Sequence, residues 1–123
     1  MKSRNKAKRV RFYVPIFDVF VTVYVTDNIP ACCKTHFGID IGDTRMACLG
    51  YKKNEFGIFL EPQAARRLEI VAHEIFHLTH RILERCAMNF DEGHHECGAY
   101  LNEWLTKQIF DILRNLWGGL KRK

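Results

Sequence analysis

A chain of 123 residues, 47% hydrophobic and 27% charged, has material for one domain and one core. That composition excludes a low-complexity chain; no internal repeat occurs, and no stretch is long and apolar enough to span a membrane. The formal net charge of +5 gathers at the ends, in Lys2, Arg4, Lys6, Lys8, Arg9 and Arg11 and again in Lys121, Arg122 and Lys123. Residues 1–11 and 118–123 are therefore expected to be basic tails, the first disordered, flanking a single domain over 12–117. Such tails could touch nucleic acid or an acidic partner, but no aromatic–basic interleaving follows the first one, and a solvated tail is the favoured reading.

Cysteine usage bears on the compartment. Cys32, Cys33, Cys48, Cys86 and Cys97 are odd in number and include no C-x-x-C spacing. This argues against a disulfide framework and for buried thiols in a reducing, cytoplasmic setting. The basic start, the apolar run from Phe12 to Val25 and the sequence Ile29-Pro30-Ala31-Cys32 faintly imitate a lipoprotein signal. Asp18 interrupts that run, and its alternation is that of a strand, so the strand reading is preferred.

In chain order, Asp18 to Thr26 has period two. Val19, Val21, Val23 and Val25 fall on one side, and Phe20, Thr22, Tyr24 and Thr26 on the other. Asp27-Asn28 offers a cap and Pro30 an early helical position for a short, weakly signalled helix from about Ile29 to His36, closed by Gly38. Thr44 to Tyr51 reads as a second strand, Lys52 to Glu55 as a turn, and Phe56 to Leu60 as a third strand, making a hairpin. A long helix is predicted over Gln63–Ala87, with Leu68, Val71, Ile75, Leu78 and Ile82 as its apolar stripe. After a turn over Met88–Glu92, with Asp91 able to cap, a second long helix is predicted over Gly93–Asn115 on Leu101, Leu105, Ile109 and Ile112. The expected fold is α+β: a small three-stranded antiparallel sheet packed on two long helices.

The chemistry concentrates in His73-Glu74-Ile75-Phe76-His77. Helical positions four apart share a face, so His73 and His77 present two imidazoles to one point, the arrangement that clamps zinc. Glu74 is placed to reach a metal-bound water as general base. A catalytic zinc needs a third protein ligand, expected from the next helix, where His94, His95, Glu96 and Cys97 could each serve. Glu96 is preferred: nineteen residues beyond His77 lets the chain turn and bring a second helix back, and Gly98 and Ala99 permit close approach. Tyr100 and His80 are candidate donors to a developing oxyanion. The third strand enters directly into the active helix and, if it is an edge, could pair with an extended peptide.

Residues Leu68 to Leu105 resemble the zincin metallopeptidases of the gluzincin kind. The whole arrangement also resembles small peptidases encoded by bacteriophages and prophages, through His73, Glu74 and His77 followed by Glu96, Ala99, Tyr100 and Leu101. A more distant likeness is to the ImmA/IrrE-type peptidases. The resemblance implies zinc, ligands His73, His77 and Glu96, Glu74 as base, and a zincin-like fold; it implies no particular substrate. His94-His95 departs from the family pattern, where acidic residues are more usual before the glutamate. The expected function is zinc-dependent hydrolysis of a peptide bond in a protein or peptide substrate. The alternatives are a nucleic-acid-associated protein using its basic ends and a metal-binding interaction module without turnover; Glu74 speaks against the latter.

Overall fold

The computed structural model describes residues 8–42, 46–88 and 95–116. Its elements are strands β1 (Lys8–Val14) and β2 (Val19–Val25), helix α1 (Ile29–Phe37), strands β3 (Ala47–Lys52) and β4 (Glu55–Leu60), a 3-10 turn (Ala64–Arg66), and helices α2 (Leu68–Arg85) and α3 (His95–Leu116). The fold is α+β, with four strands in the order β1-β2-β4-β3. The sheet is mixed: β1 and β3 run antiparallel to their neighbours, while β2 and β4 pair in parallel.

Two expectations are corrected. The sheet has a fourth strand, and it begins inside the segment assigned to the disordered tail. In β1 the charged residues mask a period of two. Val10, Phe12 and Val14 alternate with Arg9, Arg11 and Tyr13, so Phe12 and Val14 reach the core while the cations lie outside. An edge strand tolerates such charge, since it faces solvent. The sheet is also not purely antiparallel. Helix α1 intervenes between β2 and β3, and β4 then inserts between them, which makes β2 and β4 parallel neighbours.

That topology leaves β2 central, and six of its seven residues are buried. Its valines join Phe56, Ile58 and Leu60 of β4 and the apolar faces of α2 and α3 in the larger core. On the opposite face, Tyr24 and Phe59 pack with Ile29, Cys32, Cys33 and Phe37 of α1. The sheet thus lies between α1 on one side and α2 with α3 on the other. The alternation of β2 is between two helical layers, not between core and water.

Helix α1 has caps at both ends. The side chain of Asn28 accepts from the Ala31 amide at 3.1 Å, Pro30 sits in the first turn, and Gly38, at φ 68°, donates to Lys34 O. Gly57 sets how closely α1 approaches the sheet: a Cβ there would lie 2.8 Å from the Phe37 ring.

Helix α2 starts later than the sequence predicts, because Arg67 is extended (φ −104°, ψ 108°) after the 3-10 turn. Leu68 is consequently exposed rather than part of the stripe, and Val71, Ile75, Leu78, Thr79, Ile82 and Leu83 form the buried face. In α3 the buried positions are Gly98, Leu101, Leu105, Ile109 and Leu113, with Ile112 half-buried beside them. Thr79, fully buried, ties the helices together: its Oγ1 lies 2.8 Å from Asn102 Oδ1 and 3.0 Å from Ile75 O, and its one proton is donated to one of them at a time.

Candidate metal centre

His73 and His77 lie on the face of α2 that turns away from α3 and toward β3. Their Nε2 atoms are 3.2 Å apart and their ring centroids 4.7 Å apart, nearly perpendicular. Two nitrogens bound tetrahedrally at the usual zinc distance of about 2.0–2.1 Å stand about 3.3–3.4 Å apart. The observed separation is that of a hydrogen bond between the two rings and is also close to that of a shared zinc. Both imidazoles are exposed. With Glu74 they line a hollow of about 440 Å³ whose other wall is β3 and whose far end holds Arg81.

The wall matters for substrate access. β3 is the terminal strand of the sheet, so one side of its backbone pairs with β4 and, among the described residues, the other borders no strand. The strand expected to be the edge, Phe56 to Leu60, is β4 and lies inside the sheet. The open edge is supplied by the preceding strand, and Leu49 and Tyr51 of that strand line the hollow. Cys48, between them, turns its thiol to Cys33 on the α1 side, where burial raises the Cys33 pKa and the Cys48 hydrogen bond works against that rise.

Arg81 was not singled out from sequence. It lies four residues after His77, one turn further along the same face, so the helical spacing that pairs the histidines also predicts its position. Its guanidinium carbon lies 5.5 Å from the Tyr51 ring centroid, and Nη1 is 3.3 Å from Glu84 Oε1. His80 is half-buried, with its ring 4.8 Å from that of Phe76.

The second helix does not join the pair. Glu96 is exposed in the first turn of α3. The Thr79–Asn102 bond sets the antiparallel register of α2 and α3, and from it Glu96 falls level with about residue 85, about 12 Å along the axis from His77. Tyr100 is exposed and lines a separate apolar hollow with Ile16, Phe17 and Trp104. His95 is exposed and Cys97 half-buried, while His94 and the capping residue Asp91 lie outside the described residues. Among the described residues, no group of three or more His, Cys, Asp or Glu side chains is placed to hold a metal ion.

No helix among the described residues is long and apolar enough to cross a membrane, and the five cysteines form no disulfide. No family model matches the chain, and neither does any curated protein or solved structure.

Proposed function

We propose that the chain is a zinc-dependent peptidase of zincin-like architecture. The observation that carries this reading is the convergence of two imidazoles to 3.2 Å on one helical face, with Glu74 in the same hollow and an open strand edge across from them. His73 and His77 would hold the metal through Nε2. Bound zinc lowers the pKa of a coordinated water toward neutrality and polarises a carbonyl oxygen. Glu74 would take the proton of the attacking water and pass it to the leaving amine, a role that needs a carboxylate beside the pair and not within it. An extended peptide would pair with the outer edge of β3, so that backbone hydrogen bonds fix its register across the hollow. Arg81, at the end of that hollow, is placed to donate to a substrate carbonyl or a terminal carboxylate.

Glu96 is retained as the third ligand on its spacing and on the resemblance. Its place in α3 does not support that role, and the variants decide it. Zinc is measured in purified wild type, His73→Ala, Glu74→Gln and Glu96→Gln, alongside hydrolysis of an unstructured protein such as casein. One zinc per chain is expected in wild type and none in His73→Ala. Glu74→Gln should keep its zinc and lose hydrolysis, and Glu96→Gln should bind zinc at least tenfold more weakly. Unchanged zinc affinity in Glu96→Gln removes that residue from the site and leaves the pair standing. A wild-type protein that takes up no zinc ends the reading.

A further inference from the structure

The sheet face that carries α1 is only half covered by it. Helix α1 lies over β3, β4 and the Tyr24 end of β2. Beside it, cross-strand pairing brings together residues that are far apart in sequence. Arg9 stands opposite Tyr24, Arg11 opposite Thr22, and Tyr13 opposite Phe20. The β3–β4 turn adds Lys52 and Lys53 at one side, and the end of α1 adds His36 at the other. All of these but Tyr13 and Phe20 line one cleft of about 580 Å³, and those two rings lie beside it on the same strands.

The charge in this cleft is one-sided. Arg9, Arg11, Lys52 and Lys53 face a single carboxylate, Glu55, and that carboxylate is bound by Arg11 through two nitrogens. Among the described residues no ion pair engages Lys52 or Lys53. The Arg9 guanidinium has His36 Nε2 at 3.3 Å, an imidazole where a carboxylate would neutralise it. Burial and the adjacent Arg9 lower the His36 pKa, consistent with a neutral ring that accepts this bond.

Aromatic surface adjoins the cations. The guanidinium carbon of Arg11 lies 3.8 Å from the Phe20 ring centroid, Tyr13 lies 5.1 Å from Phe20, and Tyr13 is 46% exposed. The aromatic–basic interleaving that is missing along the sequence is therefore created across the strands.

We propose that this helix-free half of the sheet binds single-stranded nucleic acid, with Arg9, Lys52 and Lys53 on successive phosphates and a base stacked on Tyr13. Cations tracking a backbone beside an exposed ring are the chemistry of sequence-tolerant single-strand recognition. A single strand can enter between α1 and the β3–β4 turn, whereas a duplex would offer only its outer phosphates. The site lies on the opposite side of the sheet from the histidine pair, so it is independent of the peptidase reading.

The test measures fluorescence anisotropy of labelled oligo-dT, oligo-rU and a duplex of equal length, each about twenty nucleotides long, at low and moderate salt. Full-length wild type is compared with Arg9→Glu/Lys53→Glu, with Tyr13→Leu, and with a chain in which Lys2, Arg4 and Lys6 are all glutamine. Circular dichroism and thermal unfolding verify that each variant is folded. The expected result is single-strand binding that weakens with salt at a log–log slope of about −2, as about three neutralised phosphates require. The double charge reversal should weaken it more than tenfold, Tyr13→Leu about fivefold, and the tail variant less than threefold. Binding of either sugar supports the site, and the tighter one identifies the ligand. The proposal is overturned by absence of binding at low salt. It is equally overturned if the tail variant alone abolishes binding, or if the duplex binds as tightly as the single strands with Tyr13→Leu unchanged.

Discussion

The two faces of this sheet are built on different logics. The face under α2 and α3 is apolar throughout, and its polar chemistry is carried by one helix, at the spacing of a helical turn. The face under α1 is buried and apolar where the helix covers it, and beyond the helix its charged groups, set beside Tyr13 and Phe20, are carried by four strands at the spacing of a sheet. A helix concentrates function in contiguous sequence, and a sheet disperses it. His73 and His77 are four residues apart, whereas Arg11 and Glu55, in direct contact, are forty-four apart.

The sharpest way to break this comparison is to show that the faces are not separable. Glu74→Gln should lower peptide hydrolysis by about 10²–10⁴-fold, while single-strand binding stays within twofold of wild type. A matching loss in both assays would merge the two sites. Ile75→Ala cuts into the core behind the histidines without touching the α1 face. It should cost about 2–5 kcal/mol in chemical denaturation, and a value below ~1 kcal/mol would show that the α2 face is loosely packed. Gly57→Ala makes the complementary change, forcing Phe37 away from the sheet. It should cost about 1–3 kcal/mol and leave zinc stoichiometry unaltered. Asn28→Ala removes the α1 cap and should lower stability by about 1 kcal/mol, again with no effect on the metal.

The smallest effects are in titration. The folded state lowers the His36 pKa below its ordinary 6.5, through burial first and Arg9 second. Below about pH 6.5 the unfolded chain takes up this proton more readily, so the contribution is full above that pH and is lost as pH falls through the lowered folded value. Wild type should lose more melting temperature than His36→Gln between neutral pH and pH 5, and equal losses would remove His36 from the account. On the same face, burial pushes the Cys32 thiol up to about 11. It should label far more slowly than the half-buried Cys97 with a thiol reagent near pH 8.

What could be read from sequence follows the same division. The histidine pair, Glu74, both long helices and the β2 alternation were legible because their signals are local. Helix α1 was legible through Asn28, Pro30 and Gly38. The missing strand was hidden by charge: Arg9 and Arg11 read as a tail, although Val10, Phe12 and Val14 carried the period of two. The parallel pairing of β2 and β4 has no local signature, since it depends on α1 lying between them in the chain. That pairing also reassigns the open edge from Phe56–Leu60 to Ala47–Lys52. Glu96 shows the limit of spacing: the separation allows a return of the chain, but the register of α2 on α3, set by Thr79 and Asn102, decides which residues come level.

The parallel contact between β2 and β4 also governs how the chain is made. Phe20 pairs with Glu55 and Val25 with Leu60, so the central strand has no partner on that side until β4 has been synthesised. The β1–β2 hairpin alone would expose a row of valines, and an isolated hairpin is marginal in water. The first half of the protein is therefore expected to lack a stable intermediate of its own. Nonlocal pairing of this kind slows folding and lengthens exposure of unpaired edges. Fragments ending before Leu60 should aggregate, whereas fragments that include α2 should remain in solution.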